Sequence, residues 1–114
     1  MKIKTEAVHA GEFVVSEGNG GISRESVAIA AGDALPAGQV LGINATTGVY
    51  GPHDAEADDG TQVAAGILYA PLPGSEEVRR GPVVVRLAEV SGELLTGLAD
   101  SVTADLKSRY VIVR

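Results

Sequence analysis

The sequence contains no cysteine, which removes disulfide staples, thiol nucleophiles and cysteine-ligated metals together and leaves its redox compartment unreadable. Tryptophan is also missing, and aromatic residues make up only 4% of the 114 residues. The core must therefore rest on Val, Ile, Leu and Ala, which bury little area each at roughly 25 cal/mol per Å². A chain of this length forms one domain that buries roughly 60 to 70% of its unfolded surface. So lean a core gains from covering more surface between copies, and self-association is expected. Long apolar runs are absent too. Residues 63–72 and 82–85 are far too short to span a bilayer, and residues 1–15 lack the apolar segment and cleavage site of a secretory signal. Synthesis in the cytoplasm, with no membrane partner, is the expectation. Positive charge is scarce: nine Lys and Arg stand against fifteen acids, for a formal charge of -6. The nine are scattered, which argues against a nucleic-acid partner.

What the chain does have is punctuation. Fifteen Gly and five Pro interrupt it at intervals too short for most helices, the spacing of a mainly β domain. Strands are predicted near residues 12–15, 26–30, 39–43, 48–50, 62–70, 83–90 and 110–113. One short helix is predicted over residues 101–109, with Val102 and Leu106 on one face. "LPAGQVLGINATTGVYGPHD", residues 35–54, reads as two apolar ribbons joined at Asn44-Ala45-Thr46-Thr47-Gly48.

The motifs that carry chemistry fail one by one. Glu17-Gly18-Asn19-Gly20-Gly21 resembles a phosphate loop only superficially, because the third glycine of G-x-G-x-x-G falls on Ser23 and a β-rich segment follows. It reads as a turn. The acidic stretch "DAEADDG" places Gly60 seventh and Ala65 twelfth when Asp54 opens the loop, which defeats an EF-hand. His9 and His53, the two imidazoles, sit in a polar arm and a loop without the neighbours that a zinc or catalytic site requires. No nucleophile elbow or zinc-protease motif occurs. A biotin or lipoate carrier would present a lysine at a hairpin tip, whereas the lysines are Lys2, Lys4 and Lys107. No catalytic residue, metal or cofactor is expected.

Two strands are apolar on both faces. In residues 62–70, strict alternation puts Val63, Ala65, Ile67 and Tyr69 on one side and the small set Ala64, Gly66, Leu68 and Ala70 on the other. A one-sided sheet would alternate apolar with polar. Either this strand is enclosed within the domain, or the small face, Ala64, Gly66, Leu68 and Ala70, is a subunit contact.

"AGDALPAGQVLG", "TGVYGPHDAEADDGTQVAAGILYAPL", "GPVVVRLAEV" and the closing "YVIVR" together resemble the head decoration (capsid-stabilising) protein family of tailed bacteriophages, of the lambda head protein D type. The most specific piece is "DGTQVAAGILYAP", residues 59–71, and the similarity runs through nearly the whole chain in order. The resemblance implies a β-clip fold, a bent two-stranded ribbon with an incomplete barrel. It also implies a homotrimer seated on threefold sites of the expanded head, on the outer surface of the virion capsid. There the trimer clamps the coat protein against the pressure of packaged DNA. It implies a flexible N-terminal capsid-binding arm, here residues 1–12, ahead of a single decoration domain at residues 13–114. Within that arm Lys2, Ile3, Lys4, Thr5, Glu6, Ala7 and Val8 alternate in part, with Ile3, Thr5 and Ala7 on one side, as suits addition to a sheet edge of the coat protein. The major capsid protein is the expected partner.

"LPAGQVLG" also resembles small β-clip modules that bind a carbohydrate or another ligand. A β-clip enzyme is the third reading and would need polar groups converging on a pocket.

Overall fold

Leu87, rather than a glycine or proline, turns the chain between Val84 and Ala88, where it leaves one sheet for another. The computed structural model describes residues 8–114. Its elements run β1 Val14–Glu17, β2 Arg24–Ile29, β3 Val40–Ile43, β4 Tyr50–Pro52, β5 Ala64–Leu68, β6 Arg79–Val84, β7 Ala88–Val90, α1 Asp100–Lys107 and β8 Val111–Val113. Short 3-10 turns occupy Asn19–Gly21 and Gly92–Leu94. The fold is mainly β, with one short helix, and is β-clip-like.

Strands β2, β4, β3, β5 and β6 close into a small barrel. Its longest ladder pairs β2 with β6, from Arg24 opposite Val84 to Ile29 opposite Arg79. The other sheet has the order β1-β7-β8, with β7 and β8 parallel. The run expected as one strand over residues 83–90 is two: β6 belongs to the barrel and β7 to the second sheet. Between them Leu87 adopts φ +53, a left-handed corner that no glycine, asparagine or proline marks in the sequence.

The core has two parts. Ile29, Leu35, Leu41, Leu68, Val83 and Val85 fill the barrel. Phe13, Val40, Ala64, Ile67, Val84, Ala88, Val90, Val102, Leu106 and Val111 fill the layer where the barrel meets the second sheet and α1. Val102 and Leu106 are the buried face of α1, as their spacing predicts. Asp100 in the first turn and Lys107 in the last suit the helix dipole. The Asp105 carboxylate accepts the Ala64 N–H at 3.0 Å, tying the helix to β5.

Strand β5 contributes to both parts of the core and is buried at every residue. Its register shifts once: Leu41 faces Gly66, but Gly42 faces Ala64, so Ala65 is an extra residue, a β-bulge. The bulge corrects the alternation expected from the sequence, because Ala64 joins Ile67 toward the helix layer. Gly66 and Leu68 remain on the barrel side. A Cβ at Gly66 would stand 2.6 Å from Val83 Cγ1, too close to fit.

Candidate functional site

Among the described residues no group of three or more His, Cys, Asp or Glu side chains is arranged to hold a metal ion. The acidic loop folds on itself. Asp54 Oδ1 accepts the Glu56 N–H at 3.0 Å, and Asp59 Oδ1 accepts both the N–H and the hydroxyl of Thr61. The Thr61 hydroxyl holds the Asp59 carboxyl below its usual value. His53 is half-buried, and its Nε2 lies 3.0 Å from the Gln62 carbonyl. A carbonyl only accepts, so Nε2 carries the proton and the ring braces the loop. The hollow between residues 31–34 and 74–76 is an open groove. Across it Arg79 donates to the carbonyls of Ala30, Asp33 and Pro73. Asp54, Asp59, His53 and Arg79 thus each brace the local backbone.

The small-face positions lie mostly inside the protomer. Ala64 and Leu68 are fully buried and Gly66 is buried, so the enclosed-strand alternative describes all three. Ala70 alone is half-exposed. Of the expected arm, Lys2, Ile3, Lys4, Thr5, Glu6 and Ala7 lie outside the described residues. Val8 is half-buried and packs on the helix layer. Residues 9–12 form a closed turn on the domain. His9 N–H donates to Glu12 Oε1 at 2.9 Å, and Glu12 N–H returns to the His9 carbonyl at 3.0 Å.

Behind that turn stands a stack that joins the two sheets. Phe13, fully buried, meets the Tyr69 ring edge-on with centroids 6.5 Å apart. The Arg24 guanidinium lies 4.2 Å from the centre of the same ring. Arg24 also grips Glu17 through both carboxylate oxygens, at 2.8 and 3.2 Å, and Ser23 donates its hydroxyl to Glu17. The Ser23 hydroxyl, then Arg24, hold the Glu17 carboxyl below the usual glutamate value, against desolvation that pushes it up.

The most exposed apolar feature is a corner. Leu87 (φ +53) and Tyr110 (φ +62) are the two non-glycine residues with positive φ among those described. They stand side by side, because the next residues, Ala88 and Val111, pair in the parallel ladder and Tyr110 accepts the Ala88 N–H. Leu87 is 43% exposed and Tyr110 71%. Ile22 shares the corner: a Cβ at Gly18 would meet both Ile22 and Leu87. Holding bulky residues in this conformation costs energy, and such strain collects at working sites.

The model of the family described as Bacteriophage lambda head decoration protein D matches residues 3–111. The chain belongs to that family. It is a family of structural head proteins, not of enzymes. Membership implies a capsid decoration role and association with the phage virion. No curated protein matches the sequence. No helix among the described residues is long and apolar enough to cross a membrane.

The sequence reading missed the Leu87–Tyr110 corner and the Glu17–Arg24–Tyr69 stack. Neither leaves a local signal. The corner has no turn residue, and the stack joins positions far apart in the chain.

Proposed function

We propose that this chain acts as a homotrimer on threefold sites of the expanded head, on its outer surface, and clamps neighbouring coat subunits against the pressure of packaged DNA. The observation that carries the proposal is the corner of Ile22, Leu87 and Tyr110. It holds three large apolar side chains side by side in solvent, Leu87 and Tyr110 on strained backbone. Covering them in a subunit or coat contact removes the cost of exposing them and adds the burial that a core without tryptophan lacks. Of the small-face positions, Ala70 keeps the surface to join such a contact. The segment at residues 2–7, with alternate residues on opposite sides and two lysines, adds as a strand to an edge of the coat protein's sheet, while Val8, also expected in the arm, packs on the core at its root. Three arms from one trimer raise one another's effective concentration, so weak single contacts hold the whole cap.

Sedimentation with expanded, DNA-filled heads, together with light scattering on the free protein, tests this. A trimer that pellets with expanded heads is the expected result. A monomer, or a protein left in the supernatant, refutes the trimeric clamp.

A further inference from the structure

We infer that Gly11 and Tyr69 are positioning residues that aim the N-terminal arm. The inference rests on reading residues 1–7 as the capsid-binding arm and adds what directs it. Gly11 donates its N–H to the Tyr69 carbonyl at 2.9 Å and adopts φ +68. A Cβ there would lie 2.6 Å from Tyr69 Oη, 2.7 Å from Cζ and 2.9 Å from Cε2. Both the backbone conformation and the ring therefore exclude an L side chain.

The ring has little room to yield. Phe13 abuts it from the core, and Arg24, itself fastened to Glu17, lies over its face. On the near side of the anchor the chain is just as constrained. Val14 N–H donates to the Gly11 carbonyl, His9 and Glu12 cap each other, and Val8 packs on the core. From Val8 onward the chain has a set course. The direction in which the chain leaves Val8 then decides which sheet edge residues 1–7 can meet, and three arms must each meet theirs at once.

A turn that merely closed the core would work as well with a swivel ahead of it. Inserting Gly-Ser-Gly between Ala7 and Val8 supplies that swivel while leaving the arm, the anchor and the core sequence intact. For a simple tether, lengthening seven residues to ten dilutes each arm by about 1.7-fold, or about fivefold for three arms, from the −3/2 power of length. An aimed arm loses more, and the expected result is at least a 50-fold weaker attachment to expanded heads, with unchanged thermal unfolding of the free protein. A loss of about fivefold or less overturns the anchor.

Deleting residues 2–7 separates the two readings. If the deletion abolishes attachment and the insertion does little, the arm stands and the anchor falls. If the deleted protein still attaches, both fall. Gly11→Ala supplies a further check, with attachment expected to fall well before folding fails; wild-type attachment by a folded G11A protein counts against the anchor.

Discussion

Replacing Tyr110 with glycine is expected to leave the stability of the free chain nearly unchanged and to weaken its assemblies. At φ +62 a tyrosine carries about 1 to 2 kcal/mol of left-handed strain, which glycine does not. Against this, the unfolded chain gains freedom worth about 0.4 to 1 kcal/mol. With 71% of the side chain exposed, the burial lost is small, about 0.5 kcal/mol for a residue whose full burial is worth about 1.5 to 3. The sum lies within about 1 kcal/mol of zero, on either side, and the Tm of a chain this size moves by no more than about 6 °C. Attachment to heads, and the rise of Tm with protein concentration that marks an associating protein, are expected to fall sharply. Circular dichroism melts at several concentrations, paired with head sedimentation, read both quantities. A Tm drop well beyond 6 °C in the dilute protein refutes the accounting of strain. A variant with unaltered stability, association and attachment refutes the corner as a contact.

Leu68→Asp places a carboxylate in the barrel interior where the leucine is fully buried; a cost of several kcal/mol is expected, and a folded variant of wild-type stability in denaturant titration contradicts the assigned barrel core. The double variant His9→Ala, His53→Ala is expected to lose about 1 kcal/mol, from the His53 bond to Gln62, and to attach normally; failure to pellet with heads reinstates a histidine site. Because the folded-state pKa of Glu17 is depressed, its contribution is fully present above the unfolded-state value and is lost as pH falls through the lower folded-state value. Melts across acidic pH are expected to show a loss in that window that Glu17→Gln lacks, and an identical slope in both proteins contradicts the role given to the carboxylate.

Much of the fold is legible in residue patterns because its causes are local. Val102 and Leu106 announce the buried face of α1. Gly and Pro bracket β3 and β4, and the two-sided apolar character of β5 reports that it lies between two parts of one core. What escapes has non-local causes. The bulge at Ala65 is set by pairing with β3, and nothing within "VAAGILY" marks it. The corner at Leu87 hides within "VVVRLAEV" because the conformation is imposed by the sheets on either side. Glu17 ends β1, Arg24 begins β2 and Tyr69 follows β5, and only the closed fold brings the ring to the other two. Gly11 meets a ring 58 positions further along the chain, a contact that no pattern near residue 11 foretells.

The sheet β1-β7-β8 joins the first strand of the chain to the last, and this fixes the order of events during synthesis. Until Val111–Val113 have left the ribosome, β7 lacks its parallel neighbour, and the layer containing Phe13 lacks Val102, Leu106 and Val111. Pairings between such distant segments are slow to form. Phe13 is also the residue against which the Tyr69 ring rests, so the turn at residues 9–12 that Tyr69 holds through Gly11 is assembled in the same late step as the core. On the proposed reading, a prematurely terminated chain would be unable to present an aimed arm, and expanded heads would be offered only finished molecules.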